Sequence, residues 1–181
     1  MERANTAQYD ARQIANWFID RAAKDDRELS IMTILKLVYI AHGWHLETTK
    51  RPLFANRIEA WRYGPVIPDV YNAFRKQGVT VREQQNLTTN PFARAAGFSN
   101  VVGSNDQASI ENIEQDSQSL LSQVYDIYGK LSAFQLSDLT HIEGGPWDIA
   151  VKAGGYFTRI PDDLIREHYE EKRAKVEETA A

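Results

Sequence analysis

Three of the four histidines have positions at which imidazole chemistry could be considered. His42 and His45 are three residues apart in a stretch with helical periodicity, so their side chains share one helix face, and Glu47 follows closely. Together with His141 they could form the metal site of a small hydrolase. The zincin spacing H-E-x-x-H is absent, however, and a buried helix favours histidines that are hydrogen-bonded within the core. We therefore expect no metal site.

Other catalytic patterns are also missing from the sequence. There is no cysteine, which excludes thiolate metal sites, disulfides and cysteine nucleophiles. Neither a Gly-rich dinucleotide motif nor a phosphate-binding loop occurs. The acidic pairs 162–163 and 170–171 are typical of solvated helix charges, and His141 has no serine-centred motif near it. No catalytic residue, enzymatic activity or cofactor is therefore expected.

The informative residues are aromatic side chains next to glycine and proline. They are Trp61, Tyr63, Gly64, Pro65 and Tyr71 in one stretch, and His141, Pro146 and Trp147 in another. Because proline fixes φ and glycine permits unusual backbone, such segments hold aromatic rings in rigid junctions between helices. Two interpretations stay open. The rings form corners of the core, or they are exposed anchors for a protein partner, since rigid Trp and Tyr side chains lose little entropy on binding.

Helical periodicity surrounds these junctions. Asp10 and Ser30 are typical N-cap residues, and the helix predicted after Ser30, at about 31–46, is apolar on almost every side. Such a helix is usually the buried centre of a domain. Other helices are predicted over 68–77, 110–128, 133–141, 146–152 and 161–176, with an extended stretch before a turn at Gly64-Pro65. The sequence predicts a mainly α, compact multi-helix single domain with a central buried helix and a minor short β element.

The chain divides into three expected parts: an N-terminal arm (1–9), the helical domain (10–160) and a C-terminal helix with its tail (161–181). Periodicity weakens over 79–109, which predicts a loop or an insertion. The helix that follows is predicted to bury one face, which carries Ile110, Ile113, Ser117, Leu120, Val124 and Ile127.

Composition narrows the function classes further. Hydrophobic residues are 43% and charged residues 25% of the 181, as in ordinary globular proteins. A net charge of -4 argues against a general nucleic-acid binder, and no helix-turn-helix with a basic recognition helix stands out, so a DNA-binding autorepressor is a weaker alternative. The run 31–46 contains Lys36 and is too short to span a bilayer. We expect a cytoplasmic protein without membrane contact.

An ordered set of segments between about residues 10 and 150 is similar to a known family. The segments are 14–18, 35–44, 59–66, 70–71 with Phe74, Leu136, 139–141 and 146–147. In this order and spacing they resemble the Panacea-domain antitoxins, which include SocA-like and phage-associated GepA-like proteins. The stretch 79–109 and the C-terminal tail carry no matching motif.

The resemblance implies a mainly helical antitoxin of a bacterial or prophage toxin–antitoxin pair that neutralises a cognate protein toxin by direct contact. It also implies an alternative role as an adaptor that delivers the toxin to the ClpXP protease. The final Ala180-Ala181 would then be a degradation signal, although a frayed helix end is the simpler interpretation. The resemblance supplies no catalytic residue. The aromatic, glycine and proline positions are carried over only as family-defining candidates for toxin contact or core.

Overall fold

The computed structural model describes residues 9–75 and 110–180. The elements in these ranges are α1 (Ala11–Lys24), α2 (Ile31–Thr49), β1 (Glu59–Trp61), β2 (Gly64–Val66), α3 (Pro68–Arg75), a 3₁₀ turn (Ile110–Asn112), α4 (Gln115–Tyr128), α5 (Ala133–Thr140), α6 (Pro146–Gly154) and α7 (Asp162–Ala180). The prediction of a mainly α fold with a minor β element is confirmed. The predicted loop or insertion at 79–109 lies outside the described residues.

Helix α2 is the centre of the fold, as its apolar sequence predicts. Helices α1, α4, α5 and α7 all pack against it, and so does β2. Its N-cap Ser30 accepts a hydrogen bond from the Thr33 amide, and the helix continues to Thr49 rather than ending near Leu46. Almost every residue from Ile31 to Leu46 is buried. Each large apolar side chain that is buried in this way stabilises the fold by about 1.5–3 kcal/mol.

Helices α2 and α7 approach closely where Gly43 faces Tyr169. The tyrosine is buried, and its ring packs edge to face on Tyr39 and Trp44, with centroids 6.5 and 5.0 Å apart. A Cβ atom at position 43 would overlap the tyrosine ring. Glycine therefore allows the ring of Tyr169 to lie directly against the backbone of α2.

The turn was predicted at Gly64-Pro65 but lies directly before these residues. The chain turns at Arg62 and Tyr63, and Gly64 and Pro65 belong to β2, where they pair with Trp61 and Ala60. Gly64 has a φ of +103°, a value that glycine adopts without strain. Pro65 fits because β2 is an edge strand, where a missing N–H donor is tolerated.

Helix α4 also differs from its prediction. It begins at Gln115, because Glu114 is extended and separates it from the 3₁₀ turn at Ile110. Its buried face is centred on Leu121, Val124 and Tyr125, so Ile127 lies beyond the edge of that face and is 64% exposed.

The predicted ends of three further helices are wrong by a few residues. Helix α5 stops at Thr140 with His141 as its C-cap, whereas α6 and α7 continue to Gly154 and Ala180. Helix ends fray and depend on capping geometry, so displacements of this size are common. No helix in the described ranges is long and apolar enough to cross a membrane.

Gly43→Ala tests the contact between α2 and α7. Alanine favours a helix by about 1 kcal/mol over glycine, but overlap with the Tyr169 ring costs about 1–3 kcal/mol, so we expect a lower free energy of unfolding. In a Tyr169→Leu background the same substitution should be neutral or stabilising. Urea denaturation of the four proteins measures both effects. Equal destabilisation in both backgrounds would contradict the proposed contact.

Candidate functional site

The β1–β2 hairpin is held by side chains from three helices. Each of them donates a hydrogen bond to a main-chain carbonyl of the hairpin. The pairs are Lys36 Nζ to Pro65 O (3.0 Å), Ser137 Oγ to Tyr63 O (3.1 Å) and Trp147 Nε1 to Trp61 O (2.8 Å). Since α2, α5 and α6 each contribute one donor, the hairpin has little freedom to move relative to the helices. Most of the candidate residues from the sequence meet at this hairpin.

Gly64 lies at the tightest point of the hairpin. A Cβ atom there would be 2.5 Å from Lys36 Nζ, 3.0 Å from Thr140 Oγ1 and 3.1 Å from His141 Cε1. Together with its positive φ, this crowding means that a larger residue at position 64 would displace β2 from α2 and α5. Glycine is thus required here for both backbone and packing reasons.

His141 is a packing residue at the same corner. Its Nδ1 lies 2.7 Å from the Ser137 carbonyl oxygen, and because a carbonyl only accepts, this nitrogen carries the proton. Its ring meets Trp147 at a centroid distance of 4.2 Å. Pro146 is buried at the start of α6, where its fixed φ suits the first helical turn. These contacts fit the interpretation of a core corner.

Lys36 belongs to this site, although in the sequence its charge served only as an argument against a membrane span. Its side chain is fully buried, and burial lowers the pKa of its amine to about 7. The amine donates to the Pro65 carbonyl in either protonation state. A lysine inside an otherwise apolar helix was the signal for such a role.

A third extended segment, residues 157–160, hydrogen-bonds to Ile58 and Ala60 and extends the outer side of the hairpin. The Ala60 amide donates to the Thr158 carbonyl (2.8 Å) and the Phe157 amide to the Ala60 carbonyl (2.8 Å). Further along, the Ile160 amide donates to the Ile58 carbonyl (2.9 Å). Ile58, Ala60 and Ile160 are buried, so the alternate residues of β1 and of this segment face outward.

Three aromatic rings meet on this outer side, and we name them the outer aromatic group. The ring of Trp61 contacts Tyr71 from α3 at 5.0 Å and Phe157 at 5.4 Å between centroids, both edge to face. Its Nε1 donates to Glu59 Oε2 (2.9 Å). Trp61 and Tyr71 are half-buried, whereas Phe157 is 61% exposed. Aromatic pairs of this geometry stabilise by about 0.5–1.5 kcal/mol each.

Phe157 was not among the residues selected from the sequence. Its φ is +69°, a conformation that costs about 1–2 kcal/mol for a residue with a Cβ atom. The signal in the sequence was the aromatic pair Tyr156-Phe157 directly after Gly154-Gly155. Its partnership with β1 depends on contacts between distant segments, which periodicity does not report.

The candidate residues differ in how exposed their side chains are. Gly64, Pro65, Pro146, His141 and Trp147 are buried or partly buried within the corner, whereas Tyr63 is 61% exposed at the hairpin turn. Trp61 and Tyr71 lie between these extremes, on the outer side. As contacts for a toxin, all of them remain predictions.

The histidines considered for a metal site are engaged in protein contacts. His42 Nε2 lies 2.9 Å from Asp162 Oδ1, and its ring is 4.2 Å from that of Phe54. His45 Nδ1 lies 2.8 Å from the Arg51 carbonyl oxygen, so this nitrogen donates. Within residues 9–75 and 110–180, no group of three His, Cys, Asp or Glu side chains could hold a metal ion. The described residues therefore do not form the histidine site that the sequence suggested as an alternative.

Burial of Lys36 has a consequence for the pH dependence of stability. Its pKa is about 7 in the fold against 10.5 for an exposed lysine, so between these values the unfolded chain binds the extra proton. The free energy of unfolding should therefore rise with pH from about 7 to 10, by at most about 1.4 kcal/mol per pH unit, and the contribution is constant below pH 7. Urea denaturation at several pH values should show that the free energy of unfolding of Lys36→Met rises less with pH than that of the wild type. Lys130→Met, at an exposed position, is the control, and equal slopes in all three proteins would contradict this assignment.

Comparisons with known proteins agree with the resemblance seen in the sequence. The family model described as "Antitoxin SocA-like, Panacea domain" matches residues 34–148, which include most of α2, the hairpin and α5. The Antitoxin SocA of Caulobacter vibrioides (strain NA1000 / CB15N) is 33% identical over an alignment of 172 residues, which covers 92% of this chain and 86% of that protein. No solved structure shows significant similarity. The chain therefore belongs to the SocA-like antitoxin family that the Panacea domain defines.

Proposed function

We propose that this protein neutralises a cognate protein toxin by direct binding and catalyses no reaction. Membership of the SocA-like family supports an antitoxin role. The observation that carries the binding proposal is the rigid hairpin, which three helices hold by hydrogen bonds while it presents aromatic rings on its exposed side.

This arrangement favours binding for a thermodynamic reason. A protein interface forms at the cost of ordering its side chains and loops, and groups that are already fixed lose less entropy. Trp61 is held through its carbonyl by Trp147 and through its indole nitrogen by Glu59. Tyr and Trp side chains in such positions are frequent hot spots of interfaces. The net charge of -4 also favours a protein partner over nucleic acid.

Delivery of the toxin to the ClpXP protease is a second candidate function. What favours it is the end of α7, where every residue from Arg173 to Ala180 is exposed. A projecting helix leaves a surface free for another partner while the toxin occupies a different part of the molecule. The sequence resemblance implies such an adaptor role, and the two functions can coexist.

Co-expression tests the antitoxin proposal. We expect the toxin encoded by the neighbouring gene to stop growth alone, and growth to return when this protein is produced as well. The two proteins should also co-purify as a stable complex, which size-exclusion chromatography with light scattering would detect. Restored growth without a complex, or a neighbouring protein that is not toxic, would contradict neutralisation by direct contact.

Toxin half-life tests the adaptor function separately. In cells with ClpXP, production of this protein should shorten the half-life of the toxin, and deletion of ClpX should abolish that effect. Removal of 171–180 should restore a long half-life and leave the complex intact, since these residues lie mostly outside the core. A toxin that is bound, inactive and equally stable with and without ClpXP would contradict the adaptor function.

A further inference from the structure

We propose that the toxin docks on the outer side of β1 and the 157–160 segment. In this arrangement Trp61, Tyr71 and Phe157 receive an apolar segment of the toxin, and arginines beside them pair with carboxylates that flank the segment. The inference rests on the proposed function, because it names the surface and the partner chemistry of the same binding event.

The strand register places the relevant side chains together. Glu59 and Arg159 are opposite each other in an antiparallel bridge, so their side chains lie on the same side. Trp61 lies two residues after Glu59 and Phe157 two residues before Arg159, so the two rings share that side, as their contact at 5.4 Å shows. The opposite side faces the core. The outer side is thus one continuous surface with aromatic rings beside an arginine.

Phe157 is the strongest indication that this surface has a partner. Its backbone lies in the left-handed region, where a side chain with a Cβ atom is strained, and its ring is 61% exposed. The edge-to-face contact with Trp61 offsets part of this strain, whereas the exposed part of the ring offsets none of it. A glycine or asparagine would satisfy the same backbone at lower cost. Strained residues of this kind cluster at functional sites, where a required contact retains them.

The rings are also arranged before any partner arrives. Trp61 is fixed between Tyr71 and Phe157 and by the two hydrogen bonds of its indole nitrogen and its carbonyl. The backbone of Phe157 is fixed by the hydrogen bond that its amide donates to the Ala60 carbonyl. An apolar side chain of the toxin that packs on this group would gain burial with little ordering of the antitoxin side.

Charge around the rings indicates the chemistry of the partner. The Glu59 carboxylate is occupied by Arg57 Nε at 2.7 Å and by the indole nitrogen of Trp61. Arg62 and Arg159 are exposed, and neither forms an ion pair with another residue in the described part of the chain. Arg159 on the outer side and Arg62 at the hairpin turn therefore place positive charge beside the aromatic rings of a chain whose net charge is -4. This combination fits a segment that carries carboxylates on both sides of an apolar residue.

Binding of the purified toxin from the neighbouring gene, measured by calorimetry at low and high salt, tests the proposal. Phe157→Asn removes the ring and relieves the backbone, so we expect affinity to fall about 30-fold or more while thermal stability stays equal or rises. Arg159→Glu should weaken binding about tenfold and reduce the salt dependence of the affinity. Two matched controls, Phe134→Ala at an 81% exposed ring on α5 and Lys175→Glu near the end of α7, should bind like the wild type.

The outcomes separate this surface from the antitoxin function itself. If the wild-type protein neither binds nor neutralises the toxin, the proposed function fails, and the surface fails with it. If the wild type binds but Phe157→Asn and Arg159→Glu bind equally well, only the surface is wrong. Loss of affinity in Phe134→Ala and not in Phe157→Asn would place the toxin on α5 and would also overturn the inference.

Discussion

The hydrogen bond from Lys36 Nζ to the Pro65 carbonyl is the interaction on which the corner of this molecule depends. It joins the most buried helix to the edge strand of the hairpin, and it forms only because Gly64 leaves space for the amine. Burial of a lysine costs free energy unless its polar atoms are satisfied, so the hairpin carbonyl and the amine require each other. Ser137 and Trp147 then attach the same hairpin to α5 and α6. These three hydrogen bonds thus hold the helices and the hairpin in one geometry.

That geometry explains why the hairpin has two different sides. Its inner side supplies apolar side chains to the core, whereas its outer side carries Trp61, and through the 157–160 segment it adds Phe157. The proposed binding of a toxin needs a rigid corner and an exposed surface. The buried residues Gly64 and Pro65 suit the first need. The exposed rings and arginines of the outer side suit the second, and this division underlies the proposed docking surface.

The sequence predicted the features that local chemistry determines. Asp10 and Ser30 cap α1 and α2 as expected, because a cap depends on a few adjacent residues. The burial of α2 followed from its apolar composition. The hairpin turn was misplaced because the position of β2 depends on Lys36 and Thr140, which belong to distant helices. Phe157 was missed for the same reason, since its partner Ala60 is almost one hundred residues earlier in the chain. Recognition of the family supplied the antitoxin role, which no residue pattern alone carries.

Hydrogen–deuterium exchange of the complex with the toxin from the neighbouring gene tests the central claim most directly. It compares amide protection in the free and the bound protein along the whole chain. The account predicts increased protection of the amides around Arg62, Tyr63 and the 156–160 segment, with little change in the already protected amides of α2. Protection confined to α4 or to the end of α7, with the hairpin and the 156–160 segment unchanged, would contradict it.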